Sequence, residues 1–460
     1  MAAALGALAS PAAAVAELRP QAARAAPADA AARPTVPGAI ARLQATGAVS
    51  PGRAAGWRRA WDDALRAQRR LRGPRRHELG AVLANTRAIA AAGLLTASRG
   101  PALFLTVQRN RQWWVSRSLL APGARVGFAG SELVWQHYAG QGIQVQWLGT
   151  FGRANALFTG GRRYDERLRA LIQEVLPLAA DRAGGRAWEY LFRFGGGRPP
   201  WVSGLAQGTA VQALSRAAIR LGEPALLGAA REALGVFRTA PPQGVRVATP
   251  AGAHYLIYSF APRLRVLNGF VQALNGLLDF ARYASDAEGA SLFEAGEAQL
   301  GAELGSYDTG AWSLYSPGRE ADLGYHRLAR DFLRTLCARL GQTDAPRAAR
   351  YCEAAERFES YLHEPPRLTL RLPPRRPRAR RVLLVRFGLS KVSTVTAVAR
   401  RAGRVVWTRT ERRSRGPHAF GLRPAHAGTL EVSARAVDLA GNAATTGGRV
   451  DVRPARSRRT

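Results

Sequence analysis

A chain of 460 residues, 47% hydrophobic and carrying 10 tryptophans, has enough length for two or three domains and too much apolar content for a disordered protein. Its formal net charge of +35 disfavours cationic partners and points to polyanions: nucleic acid, an acidic polysaccharide or an anionic envelope surface. Of the 67 basic residues only Lys391 is a lysine, and the stretch from Pro366 to Thr460 holds 23 basic residues against 4 acidic ones.

The opening MAAALGALASPAAAVAELRP has the apolar core of a secretory signal, with Ala14-Val15-Ala16 as an A-x-A cleavage site, although it lacks a basic leader. This pattern predicts an exported protein, extracellular or associated with the cell envelope. Residues 1–37 read as this signal-like, Ala/Pro-rich lead. No uncharged apolar run has the length a membrane span requires.

Helical signals begin next. GWRRAWDDALRAQRRL (56–71) and HELGAVLANTRAIAAAGLL (77–95) predict two helices separated by Gly73-Pro74. The Gly- and aromatic-rich stretch VWQHYAGQGIQVQWLGTFGRANAL (134–157) lacks sustained helical periodicity and predicts short strands and loops. In YDERLRALIQEVLPL, Leu168, Leu171, Ile172, Val175 and Leu176 share one helical face. AQGTAVQALSRAAIRLG stops at Gly222, and five further amphipathic segments follow, ending with HRLARDFLRTLCARLG and RAARYCEAAERFESYL. Such a series with short Gly/Pro connections predicts helical hairpins packed in a ring or bundle over residues 38–364. Cys337 and Cys352, fifteen residues apart, read either as one disulfide between neighbouring helices or as two buried thiols; they lack the His partners of a zinc site.

The punctuation then changes. EPPRLTLRLPPRRPRARR gives a Pro/Arg-rich linker over 365–381, or the first edge strand of a new module. RVLLVRFGL, STVTAVA, GRVVWTRT and TLEVSARAV predict a small antiparallel β-sandwich over 382–453, followed by a basic tail at 454–460. The closing AVDLAGN resembles the last hairpin of bacterial immunoglobulin-like surface modules, which implies an anchoring role.

Three blocks carry a more specific resemblance. PPWVSGLAQGTAVQALSRA (199–217), YSFAPRLRVLNGFVQALNGLLDF (258–280) and SYDTGAWSLYS followed by GYHRLARDFL resemble, in order and spacing, segments of the D-glucuronyl C5-epimerase C-terminal domain. The likeness covers roughly residues 130–362. It implies an (α/α)-barrel or toroid-like domain that inverts C5 of uronyl residues within an acidic polysaccharide, without a redox cofactor. Carried over by position, it implies catalytic roles for Tyr258, Tyr315 and Tyr325 and substrate contacts for Gln207, Asn268, Arg319 and His326. Tyr258 and Tyr325 would act as base and acid on opposite faces of the sugar, with Tyr315 as a second donor. This chain departs from the family pattern at Ile257, Gly324 and Ala329, where the family carries two acidic residues and a histidine.

The residues themselves suit that chemistry. A C5 hydrogen lies α to a carboxylate, so its removal needs a base, an opposed acid and a cation that neutralises the growing charge. Phenols can donate or, when deprotonated, accept, and arginine grips a carboxylate with two hydrogen bonds. The alternatives are a polysaccharide lyase, which starts with the same proton removal, and a non-catalytic polyanion-binding envelope protein. No recognised nucleic-acid-binding motif accompanies the charge.

Overall fold

The computed structural model describes residues 33–373 and 376–455. The signal-like reading of residues 1–32 and the last part of the basic tail lie outside the described residues. The chain divides into two compact units, Met1–Leu300 and Gly301–Thr460.

In the first unit the helices are α1 (Val36–Ala45), α2 (Pro51–Arg70), α3 (Gly73–Ala91) and α4 (Gly100–Ser116). Strands β1 (Arg125–Val126), β2 (Trp135–Tyr138) and β3 (Gly142–Val145) make one antiparallel sheet and lead into α5 (Trp147–Thr159) and α6 (Asp165–Val175). The hairpin β4 (Ala180–Arg182) and β5 (Gly185–Ala187) precedes α7 (Gly204–Leu221), α8 (Ala225–Glu232) and the one-turn α9 (Gly235–Arg238). A second hairpin, β6 (Arg246–Thr249) and β7 (Gly252–Tyr255), leads to α10 (Leu267–Ala284) and α11 (Ala287–Glu303).

Local rules account for most of these boundaries. α2 starts because Ser50 caps the Arg53 N–H and Pro51 fits the first turn; it buries Trp57, Ala60, Trp61 and Ala64, an i, i+3, i+4, i+7 stripe. Pro74 likewise opens α3 rather than merely separating two helices. The segment 134–157 corrects its sequence reading in its second half. Strands β2 and β3 form as expected, but LGTFGRANAL is helical, because the Gln146 side chain caps the Gly149 N–H at 2.9 Å and starts α5.

α7 and α10 form the tightest helix pair. A Cβ on Gly276 would stand 2.0 Å from the Gly208 carbonyl oxygen, and one on Gly208 would stand 2.5 Å from the Ala273 Cα. The two backbones therefore touch, which only glycine allows. A buried polar ladder crosses the contact: Gln272 donates to Gln212 at 3.0 Å, and Gln212 and Arg216 donate to Asp279 at 3.0 and 3.1 Å. Burial holds the Arg216 guanidinium down to about 10.

The second unit takes the end of α11 and continues with β8 (Leu314–Ser316), β9 (Arg319–Glu320), α12 (Leu323–Leu340) and α13 (Ala345–Ser360). A Cys337–Cys352 disulfide ties α12 to α13, which decides between the two readings of those cysteines. Seven strands follow: β10 (Leu368–Arg371), β11 (Leu383–Leu389), β12 (Ser393–Arg401), β13 (Arg404–Arg413), β14 (Gly416–Leu422), β15 (Gly428–Asp438) and β16 (Ala443–Val452). They make two antiparallel sheets, β10-β11-β14 and β13-β12-β15-β16, around one shared core. Alternation sets the core face: Leu383, Val385, Phe387 and Leu389 point inward from β11, and Leu430, Val432, Ala434 and Ala436 from β15.

Of the two readings of the Pro/Arg-rich stretch, the edge strand forms at its start, within the linker bounds of 365–381: Leu368–Arg371 pairs with β11 in full register. The division expected at 364/365 is replaced by one at 300/301, because α12 and α13 are bound into the sandwich unit. Three contacts do this. Asn442 donates to the Leu362 carbonyl at 2.8 Å, the Glu320 carboxylate receives the Val392 and Arg415 N–H groups at 2.8 and 2.7 Å, and Lys391 supplies the third.

Candidate active site

The richest chemistry lies in the second unit, in the loop from Tyr307 to Tyr325. Asp308-Thr309-Gly310 is a turn: the Asp308 carboxylate accepts the Gly310 N–H, the Thr309 hydroxyl bridges the N–H and C=O of Trp312, and Gly310 takes φ +73°. Asp308 also fastens this turn to α13, accepting from the Tyr361 hydroxyl at 2.9 Å and Arg357 at 3.0 Å.

Beyond the turn, β8 and β9 bring Tyr315 and Arg319 together, and α12 supplies Tyr325. The Tyr315 and Tyr325 rings lie 4.7 Å apart, and the Arg319 guanidinium sits over the Tyr315 ring at 5.3 Å. Asp322 caps α12 by accepting the Tyr325 N–H at 2.8 Å, which fixes the start of the helix and the root of that side chain. The buried Tyr315 hydroxyl has no hydrogen-bond partner among the described residues.

Burial, reinforced by the Asp322 charge and opposed by Arg319, pushes the Tyr325 phenol up to about 12. Burial and the neighbouring Tyr325 push Tyr315 up as well, again against Arg319. Arg319 therefore loses this contest, and both phenols stay protonated near neutrality. In that form each carries an O–H group, a hydrogen-bond donor.

His326 does not polarise Tyr325. It is fully buried, stacked on Trp312 at 3.7 Å, with both ring nitrogens engaged. The Ser313 N–H donates to Nδ1 at 3.3 Å, so Nδ1 is the acceptor and Nε2 carries the proton given to the Phe358 carbonyl at 2.8 Å. Its pKa falls to about 4, chiefly through desolvation. The residue braces the tyrosine loop against α13.

Behind Trp312 stands the residue that sequence reasoning passed over. Lys391 is buried and donates to the Tyr361 and Glu364 carbonyls at 2.7 and 2.6 Å, pairs with buried Asp438 at 2.7 Å, and lies 5.3 Å from the Trp312 ring. An ammonium suits three separate acceptors around one point; a planar guanidinium does not. That it is the sole lysine among 67 basic residues was the available signal, and Asp438 of AVDLAGN is its counter-ion.

The other expected site residues lie in the first unit. Tyr258 belongs to an aromatic cluster, stacked on Phe260 at 5.3 Å with an interplanar angle of 2° and meeting Trp201 and Phe194 edge-on at 5.5 and 5.6 Å. Gln207, expected to donate to a sugar hydroxyl, has both ends committed to the backbone of Trp188: its amide donates to the carbonyl at 2.8 Å and its oxygen accepts the N–H at 3.3 Å. It holds the start of α7 in place. Asn268, near the start of α10, is 2% exposed, and neither of its side-chain polar atoms has a partner among the described residues. Ile257, where the resemblance led to an expected acidic residue, is buried next to Tyr258 in the chain. Among the described residues no three His, Cys, Asp or Glu side chains are grouped to hold a metal ion.

Residues 184–349 match the family model described as D-glucuronyl C5-epimerase C-terminus. That stretch belongs to this family. All seven expected site residues fall inside it. The chain is also 32% identical over 130 residues to the D-glucuronyl C5-epimerase of Caenorhabditis elegans, covering 25% of this chain and about a fifth (21%) of the length of that relative. Solved structures with some likeness include a sugar epimerase from a ruminal bacterium, at 13% identity and TM-score 0.36, and a GH76 alpha-mannanase of Bacteroides thetaiotaomicron, at 9% and 0.35. Each covers 47% of this chain and 59% of the matched one.

Proposed function

We propose that this protein is a uronyl C5-epimerase acting on an acidic polysaccharide. The observation that supports it most is the Tyr315–Tyr325 pair with Arg319 above it, inside a segment of epimerase family type. Arg319 would receive the uronate carboxylate and offset the charge that builds when the C5–H bond breaks. Tyr325 and Tyr315, kept protonated by burial, would return a proton to C5. On the family resemblance alone, Tyr258 in its phenolate form would take the first proton and become the neutral phenol, with Asn268 as a substrate contact. Gln207 and His326 act as positioning residues. An (α/α)-toroid arrangement of the helices of the first unit is part of the same reading. So is export, which the disulfide favours because such bonds persist in oxidising compartments.

The test is incubation with a glucuronate polymer in heavy water, following deuterium at C5. Incorporation that disappears in Y315F and Y325F supports the reading. No label with any uronan, under conditions where the polymer binds, would reject it. A lyase would be recognised by the ultraviolet absorbance of an unsaturated uronate end.

A further inference from the structure

The outer face of β10-β11-β14 carries a cleft of about 810 Å³ that no part of the proposed reaction uses. Its centre is a pair of like charges. Arg371 and Arg386 are direct partners in the antiparallel register, both exposed, and among the described residues neither forms an ion pair. Two guanidinium groups facing each other across strands destabilise a sheet, so a fold that keeps them gains when an anion sits between them. Arg367 lies at the same cleft, about 13 Å along the strand from Arg371 by extended-chain geometry. The three cations thus form a row.

The floor between them is short-chained. Gly388 pairs with Thr369 on one side and Pro417 on the other, and Ala419 pairs with Arg386, so the sheet surface is open to a ligand lying flat on it. The Thr369 hydroxyl adds a neutral donor. Of the aromatic side chains there, Phe387 is 3% exposed and faces the core, and His418 meets the Ser414 carbonyl at 2.8 Å. No indole or phenol lines the cleft to act as a stacking platform for nucleobases.

We propose that this cationic trough binds a linear uronate-bearing polysaccharide, with Arg371 and Arg386 sharing a carboxylate and Arg367 meeting one further along the chain. The choice of a uronate polymer rests on the epimerase reading; the trough itself does not. It would act as a holding site for the polymer, in a module outside the matched family segment.

The test uses the full chain and an oligoglucuronan of defined length, with a neutral glucan and single-stranded DNA of similar length as comparisons, by calorimetry near physiological salt. R371A/R386A is expected to weaken oligoglucuronan binding by about tenfold or more, since bidentate contacts are lost. R404A/R412A, which removes the same charge from exposed positions on β13, is expected to stay within about twofold, as screened surface charges do. Equal losses in both variants, or binding as tight to the neutral glucan, would overturn the proposal. So would DNA binding that is tighter than oligoglucuronan binding and lost in R371A/R386A alone. C5 exchange is followed in parallel. Trough-dependent binding without exchange removes the epimerase reading and leaves this one, and exchange without trough-dependent binding does the reverse.

Discussion

Tyrosines occupy two contrasting settings in this molecule. Around Tyr258, in the first unit, the neighbours are rings: Phe260, Trp201 and Phe194. Around Tyr315 and Tyr325, in the second, the neighbours are charges, Arg319 and Asp322, in a loop braced by His326, Trp312 and Lys391. The same side chain packs among rings in one place and, in the other, lies buried beside ionic groups with its pKa raised. Residue type alone did not decide this; the dielectric and the nearest ionic groups did.

The largest expected effect breaks the comparison directly. Y315F, Y325F and R319A should each lower C5 exchange by about 100-fold or more, the scale of a lost acid or charge-stabilising group. Y258F tests its assignment separately: a loss of the same size would make Tyr258 a reacting group despite its aromatic surroundings, and unchanged exchange would leave it a wall. Next comes the brace. K391M strands the buried Asp438 carboxylate and should cost about 3–5 kcal/mol in denaturant unfolding, with D438N/K391M recovering part of it. If K391M is nearly as stable as the parent, the tyrosine loop is held by something else.

A pH measurement sharpens the contrast further. His326 has a folded pKa of about 4 against an ordinary value near 6.5, so the unfolded chain takes up a proton first as pH falls. Its contribution is complete above pH 6.5 and is lost on the way down to pH 4, on the order of 3 kcal/mol. H326N should flatten the stability profile in that window, and an unaltered profile would mean the imidazole titrates in the folded state. The smallest effect belongs to the first setting. F260A should cost about 1–2 kcal/mol from the lost stacked ring and leave that acid profile unchanged. A shift in the profile would show the two settings to be coupled.

Much of the site's composition was legible in the chain. Spacing brought out the helices around Leu168–Val175 and Gly204–Leu221 and the β-alternation after residue 382, and the family resemblance named Tyr315, Arg319 and Tyr325, which the fold brings together. What could not be read was which polar groups would be consumed locally. Gln207 and His326 look like ligand contacts in one dimension, yet the backbones of Trp188, Ser313 and Phe358 come from distant positions to occupy them. Lys391 and Asp438 are 47 residues apart and meet only because β12 and β15 pair with Ser393 opposite Asp438.

The periodicities and the caps at Ser50 and Asp322 follow from neighbours within a turn or a strand, and the net charge and the family match of residues 184–349 from residue identity and order, so all were present in the chain before folding. Where the compact units part, which cysteine reading holds, and the upward shift of the Tyr315 and Tyr325 phenols were settled by folding. Those outcomes depend on burial and on groups that approach through space, and neither is fixed until the chain has closed on itself.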